Sequence, residues 1–323
     1  MKKKMNSESM QELLRRLQET GELDIVKFDE SMILGEPVHK WPVVSCLIAF
    51  ASGKFPMEKA IQYQRLRRPV CLNGLEEQFL LTDRVKIYKR LIEHGIPCPT
   101  HLVIDHNSVG PGDLHEERDK IIFKGRTLRK PFVEKPQDGE DHNVWIYHAS
   151  SKGGGATKLH RKKDNQSSMW DAEQTLIRKE GTFVYEPFFD TGGLDIKVYA
   201  VGVNYAHAES RKAPVIDGKV ERAANGKERR EVIELTEKER TLATQVVEGF
   251  NQTVCGFDIL RTADGQSLVC DVNGFSFVKG NAKYFDESAA ILMDWCRKAA
   301  REKETRQQCW LRSLGNMCRS LCQ

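Results

Sequence analysis

Residues 255–279, CGFDILRTADGQSLVCDVNGFSFVK, constrain the fold more than any other stretch of the chain. Two runs rich in apolar residues flank Ala263-Asp264-Gly265, a pattern that predicts a β-hairpin. Asp271 and Asn273 are two apart, so in a strand both side chains point to the same face. If Asp258 lies opposite them, three oxygen donors converge beside the small residues Gly256 and Gly274. Hard oxygen ligands that leave room for water and phosphate suit Mg2+. The competing reading is a polar hairpin with its carboxylates in solvent, which is the usual fate of Asp. The apolar neighbours Val254, Phe257, Ile259, Val269 and Val272 predict buried strands instead. Buried carboxylates need a partner or a metal. The stretch therefore reads as a metal site formed by Asp258, Asp271 and Asn273.

The 323 residues can bury a sizeable core and divide into two or three lobes. No run of eighteen apolar residues and no signal-peptide pattern occurs, so neither a membrane span nor a membrane partner is expected. Nine Cys are present without a C-x-x-C pair, which argues against zinc and disulfide frameworks and points to a reducing cytosol. A net charge of +4 is modest, so affinity for a polyanion must come from clustering.

Helices are expected at 10–18 and 56–67, and strands at 23–28, 43–50 and 70–72. Thr82 is the expected N-cap of a helix that ends at Gly95. The alternation predicts an α/β lobe with a parallel sheet over 1–95. From 96 to 300 the pattern becomes strand-rich, with strands at 102–104, 121–123, 132–135, 144–148, 159–161, 183–188 and 196–201. Helices are expected at 171–179, 236–250 and 286–301. Residues 301–323 read as an appended tail without regular structure.

Lys135 and Lys197 each lie inside an apolar strand. Such lysines are commonly solvated or snorkelling, but beside a carboxylate hairpin they can reach phosphate oxygens as point charges. Glycines 153–155 offer backbone N–H groups to phosphate. Tyr185 and Glu186, at a strand end, could face an adenine and ribose. A Walker-type G-x-x-x-x-G-K-[ST] loop is absent, as are the H-R-D and D-F-G motifs of protein kinases. Basic residues are dense from 142 to 283, while the aromatics occupy core positions in strands. That combination suits a small phosphate-rich ligand better than nucleic acid.

PFVEKPQDGEDHNVWIY (131–147), DIKVYAVGVNYAHAESRKAPVIDGKVER (195–222), TVCGFDILR and VCDVNGFSFVK resemble the diphosphoinositol-pentakisphosphate kinases, over about residues 1–294. The resemblance implies an ATP-grasp fold of the α/β class, preceded by an N-terminal α/β lobe. It implies ATP and Mg2+ as cofactors and an inositol polyphosphate as substrate. By similarity, Arg84, Lys135, His142 and Lys197 contact ATP phosphates, and Glu186 and Asp195 hold the adenine and ribose side. Asp258, Asp271 and Asn273 would bind Mg2+. For the inositol polyphosphate the resemblance points to Lys3, Lys4, Arg161, Lys162, Arg211, Arg230, Ser276 and Lys279. Lys197, His142 and Arg230 would neutralise the phosphoryl group in transit, and an ionised phosphate acceptor needs no strong base.

The chain departs from the family pattern in three ways. It opens at MKKKM without the family's first apolar strand. Lys54 stands in SGKF, where the family has SKGF. No R-H-G-x-R-x-P motif of the phosphatase-like domain occurs. Two other readings follow from the same residues. One is an ATP-grasp ligase, for which so many cations are excessive. The other is a non-catalytic inositol-polyphosphate-binding module, against which the intact metal residues and strand lysines argue.

Overall fold

The computed structural model describes the backbone of residues 2–51, 53, 55–224 and 226–321, and their side chains except at 2, 304 and 306–321. The chain forms two compact units. The first contains Met1–Gln78, Asn251–Val254 and Phe275–Gln323, and the second contains Phe79–Phe250 and Cys255–Gly274. The sequence boundary expected at residue 95 thus differs from the division between units, which falls ahead of the helix that starts at Arg84.

In the first unit, α1 (Lys2–Met5) precedes α2 (Glu8–Glu19), which Ser7 caps by accepting a hydrogen bond from the Met10 amide at 3.4 Å. Met10, Leu13, Leu14 and Leu17 form its buried stripe at helical spacing. Next come α3 (Glu30–Gly35), β1 (Cys46–Leu47), α4 (Met57–Arg67) and β2 (Val70–Cys71). The two strands pair in parallel, as expected, but each is only two residues long. Most of the expected strand at 43–50, and all of that at 23–28, lack strand structure. An apolar run makes a buried strand only where neighbours cover it, and here Val43 and Val26 are exposed.

The second unit opens on α5 (Arg84–Glu93), capped by Asp83 rather than by the expected Thr82. The Asp83 carboxylate accepts from the Lys86 amide at 3.2 Å. The strands that follow are β3 (Leu102–Asp105), β4 (Leu114–Glu117), β5 (Lys120–Phe123), β6 (Arg126–Arg129), β7 (Phe132–Pro136), β8 (Val144–Tyr147), β9 (Ala156–Lys163), β10 (Gln166–Asp171) and β11 (Thr182–Pro187). A six-stranded antiparallel sheet has the order β10-β9-β8-β7-β11-β3, and β4-β5-β6 form a small sheet of their own. The helix expected at 171–179 is absent. Carboxylates hold that segment instead, because the Ile177 amide donates to Glu116 (2.8 Å) and the Arg178 amide to Glu134 (3.1 Å).

The unit is completed by β12 (Leu194–Val201), β13 (Tyr205–Lys212), β14 (Glu231–Ile233), α6 (Glu237–Phe250), β15 (Val254–Arg261) and β16 (Ser267–Gly274). Their sheet has the order β14-β13-β12-β15-β16. Alternation along β12 puts Ile196, Val198 and Ala200 into a core shared with α5 and α6, through Ile87, Leu91, Val246 and Phe250. The residues between them, Asp195, Lys197 and Tyr199, face the other way, so one side of the sheet is apolar and the other carries functional groups. The last helix, α7 (Ala282–Leu321), belongs to the first unit and packs on α2. It begins four residues before the expected start and runs on through the stretch read as a tail.

Candidate active site

Register brings the hairpin carboxylates together. Asp258 on β15 lies directly opposite Asp271 on β16, with a register shift immediately after the pair. The Asn273 side-chain amide donates to Asp271 at 2.8 Å. The Lys197 ammonium of β12 stands 3.3 Å from Asp258 and also donates to the Asn273 side-chain oxygen. Burial, then the facing Asp258 charge, hold the Asp271 carboxyl above its ordinary pKa against the pull of Arg84, Lys135 and Lys197. Two carboxylates therefore face one another with a single ammonium between Asp258 and Asn273, and the pair accommodates further positive charge. Among the described residues no group of three or more His, Cys, Asp or Glu is arranged to hold a metal. The donor set here is two carboxylates and an amide, all hard oxygens, which fits Mg2+ sharing its shell with water and phosphate.

A second cluster centres on Lys135. Alternation on β7 sends Lys135 to one face and Glu134 to the other. Lys135 meets Glu186 of β11 at 2.5 Å, the Tyr88 hydroxyl of α5 at 3.3 Å and the Cys270 carbonyl of β16 at 3.3 Å. Tyr88 also donates to Glu186. Burial works against the Lys135 ammonium, but the Glu186 carboxylate outweighs it and holds the pKa above the ordinary lysine range. Burial, then Glu186, push the Tyr88 phenol well up. The Glu186 side chain is 2% exposed, with one carboxylate oxygen on Lys135 and the other on Tyr88.

Arg84, at the first position of α5, is also buried. Its guanidinium donates to the carbonyls of Pro136 (2.7 Å), Asp138 (2.7 Å), Gly139 (3.2 Å) and Asp141 (3.2 Å). Arg84 thereby fixes the loop after β7, in which His142 is exposed. Partial burial, then the Arg161 and Arg84 charges, lower the His142 pKa, so the ring is neutral at pH 7. Two of the three amides in the Gly-rich turn, which the sequence offered to phosphate, are engaged locally. Gly153 donates to Ser150 at 3.2 Å and Gly154 to Ala149 at 3.1 Å. Gly155 has a φ of +70°, and a Cβ there would sit 2.6 Å from the Asp171 carbonyl oxygen, so it must be glycine.

The third cluster gathers three cations, Lys162, Arg211 and Arg230, with carboxylate partners. On β12 and β13, Asp195 lies opposite Arg211, Lys197 opposite Glu209 and Tyr199 opposite His207. Arg211 binds Asp195 at 3.1 Å and approaches Glu228 at 3.6 Å. Arg230 contacts the Tyr199 hydroxyl (3.0 Å), Glu228 (3.1 Å) and Glu209 (3.4 Å). Lys162, near the end of β9, also pairs with Glu228. Burial raises the Asp195 carboxyl, partly offset by Arg211. Arg161 is exposed beside Glu140 at 3.3 Å.

The remaining candidates lie in the first unit or outside the described residues. Lys3 and Lys4 sit on α1, with the Lys4 ammonium 5.5 Å from the Phe50 ring centroid. Ser276 and Lys279 lie in the segment that follows β16, and Lys54 lies outside the described residues. Sequence reasoning missed Tyr88, Glu209 and Glu228. Tyr88 left a signal, since it is four residues after Arg84 and both share the buried stripe of α5 with Ile87 and Leu91. A polar pair on a buried helical face needs partners.

Residues 1–83 match the family model of the diphosphoinositol pentakisphosphate kinase 2 N-terminal domain, and residues 141–295 match the RimK-like ATP-grasp domain. The chain is 47% identical to the inositol hexakisphosphate and diphosphoinositol-pentakisphosphate kinase of Arabidopsis thaliana, over 93% of this chain and 29% of that protein. It is 47% identical to a human kinase of the same description, over 90% of this chain and 24% of that protein. The Saccharomyces cerevisiae kinase is 42% identical over 90% of this chain and 27% of its own length. The chain thus spans less than a third of each of these relatives. Among solved structures it is similar to the D-alanine–D-alanine ligase of Bacillus anthracis, with a TM-score of 0.53, 14% identity, and coverage of 93% of this chain and 96% of that one. It is also similar to the ATP-grasp ligase PsnB in complex with a phosphomimetic precursor variant, Mg and ADP, with a TM-score of 0.54, 16% identity, and coverage of 89% and 95%. The fold is the ATP-grasp fold of the α/β class, as the sequence implied.

Proposed function

Because the chain belongs to the inositol hexakisphosphate and diphosphoinositol-pentakisphosphate kinase family, we propose that it transfers the γ-phosphoryl group of ATP to a phosphate of one of these two substrates. The observation that carries this reading is the polar face of β12. Asp195 and Lys197 are two apart, roughly 7 Å along the strand, and join the two halves of the reaction. Lys197 reaches the oxygen donors Asp258 and Asn273, while Asp195 holds Arg211 in the third cluster. A site that must bring one polyphosphate to the terminal phosphate of another needs this juxtaposition.

Lys135, His142 and Lys197 bind nucleotide phosphates in this reading. Arg84 and Glu186 are positioning residues, the first acting through the loop of His142 and the second through Lys135. Mg2+ held by Asp258, Asp271 and Asn273 would neutralise charge on the phosphoryl group in transit. Arg161, Lys162, Arg211 and Arg230 take the phosphates of the acceptor, joined by Lys3, Lys4, Lys54, Ser276 and Lys279 as proposed contacts. The acceptor oxygen is already ionised, so catalysis is positioning and charge neutralisation, with Lys197 and Arg230 supplying positive charge and the neutral His142 a hydrogen bond to the phosphoryl group. Nine cysteines without a C-x-x-C pair support a reducing compartment such as the cytosol. Among the described residues no helix is long and apolar enough to cross a membrane.

Incubation with Mg-ATP and inositol hexakisphosphate, followed by separation on charge, tests the proposal. A more highly charged product is expected from the protein and none from Asp271→Ala. Lack of product from the unaltered chain, or product from both, would overturn it.

A further inference from the structure

We propose that the Glu228 carboxylate is a built-in competitor of the acceptor's phosphates, occupying their place among Lys162, Arg211 and Arg230 until a sufficiently charged ligand displaces it. This inference rests on the reading of those three cations as acceptor contacts. Glu228 is their shared counterion, and it pairs with each of them. Arg211 and Arg230 have second carboxylate partners in Asp195 and Glu209, so the cluster is neutral by itself: three cations face three carboxylates. Burial works against the ionised Glu228, yet Lys162, Arg211 and Arg230 outweigh it and keep the carboxyl below its ordinary pKa.

The space on the side of the carboxylate away from Arg230 is small. The cavity lined by Lys162, Ser167, Arg211, Lys212 and Glu228 measures about 10 Å³. That is barely enough for a single water. A phosphate group therefore meets these cations from the solvent side, where Lys162, Arg211 and Arg230 are each partly exposed, and competes with Glu228 for them.

The backbone is built to let the side chain move without the chain. Val220 donates to Asn165 at 2.8 Å, Arg229 to Glu221 at 2.9 Å and Ala223 to Lys227 at 2.9 Å. Glu228 is bridged to Arg222, and β14 begins three residues later on the edge of β13. Among its neighbours at 226–230, Glu228 alone is half-buried while the others are exposed. Rotation about its side-chain bonds can carry the carboxylate to solvent while these backbone bonds persist.

A competitor that occupies the site about nine-tenths of the time lowers apparent affinity about tenfold. Glu228→Gln keeps the shape and removes the charge. Calorimetric titration with inositol hexakisphosphate at fixed ionic strength should therefore show binding about tenfold tighter in Glu228→Gln. The ligand-free variant should melt at lower temperature, because three cations have lost a counterion, and the ligand should raise its Tm more than it raises that of the unaltered protein. Glu228→Asp, whose shorter side chain reaches the cations less well, should shift affinity in the same direction by less. A merely structural carboxylate would lower Tm and leave affinity equal or weaker, and that result overturns the competitor while sparing the site. If neither the unaltered protein nor either variant binds the ligand, the assignment of the three cations fails, and the competitor with it.

Discussion

Glu134 and Lys135 are adjacent on β7, and each anchors a buried ion pair, but the two pairs do different things. Glu134 is fully buried and pairs with Arg178 at 2.5 Å, and it accepts from the Tyr185 hydroxyl at 2.8 Å and the Tyr147 hydroxyl at 3.4 Å. All of these partners come from the six-stranded sheet or the segment that enters β11, and the neighbouring apolar side chains close over them. Lys135, one residue on, faces the opposite side. Its partners come from β11, α5 and β16, and the last of these elements also carries Asp271 and Asn273. Each side holds an almost fully buried carboxylate paired with a less buried cation. The difference is convergence: a network that closes on itself organises a core, whereas one that gathers several elements beside unsated charge organises a site.

The comparison is sharpest at Lys135→Met. This change removes a cation from the nucleotide side and leaves Glu186 buried with only the Tyr88 hydroxyl. Turnover should fall about 10²–10³-fold, the usual cost of one electrostatic contact to a reacting group, and stability should fall by about 3–5 kcal/mol. Adding Glu186→Gln should restore most of the stability, measured by urea unfolding, and none of the turnover. Recovery of both would make the Lys135 cluster structural. Arg178→Met is the matching change on the other face. It leaves Glu134 with no cation and should also cost about 3–5 kcal/mol. Arg178 also donates to the Asn143 carbonyl at 2.8 Å, beside His142, so activity per folded molecule should fall by at most several-fold, well short of the Lys135→Met loss. A large drop in kcat there would show that the two faces are coupled.

The sequence made the Lys135 side legible and hid the Glu134 side. Lys135, Lys197, Asp258 and Asp271 were visible because a charge inside an apolar strand contradicts its surroundings, and alternation says which way each points. Glu134 contradicts its strand as strongly, but its partner lies in a segment that reads as a helix, and only the folded chain shows Arg178 beside it. Local pattern likewise missed β13, because YAHAESRK puts His207, Glu209 and Arg211 toward the site and only the small side chains Ala206, Ala208 and Ser210 toward the core, before Lys212 ends the strand. Hydrophobicity is a weak guide where a strand is lined by alanine. Glu228 was illegible for a further reason: its meaning lies wholly in three cations, two of them, Lys162 and Arg211, 66 and 17 positions away in the sequence. The apolar runs at 23–28 and 43–50 erred in the opposite sense, since composition cannot say whether a neighbouring strand exists to cover them.

A third buried carboxylate tests whether closure predicts a structural role. Glu239 is 1% exposed and forms a reciprocal cap with Thr236, accepting from the Thr236 amide at 2.8 Å while the Thr236 hydroxyl accepts from the Glu239 amide at 3.2 Å. It also accepts from Arg261 at 2.7 Å and Ser267 at 2.8 Å, tying α6 to the β15–β16 hairpin. Burial opposes its ionised form, but these hydrogen bonds outweigh it and bring the pKa down to about 2 from 4.5. A carboxyl with a depressed folded pKa contributes its stability above the unfolded pKa and loses it as pH falls through the folded one. The contribution, about 3 kcal/mol at most, should thus be complete above pH 4.5 and fade between pH 4.5 and about 2. Urea unfolding of the unaltered protein and Glu239→Gln across that range should give stabilities that differ most near neutrality and converge toward pH 2. Turnover of the folded variant near neutrality should be unchanged. A stability gap independent of pH would show that the carboxylate's charge contributes nothing. A loss of kcat instead would extend the site through the hairpin to α6, and closure would no longer separate core from site.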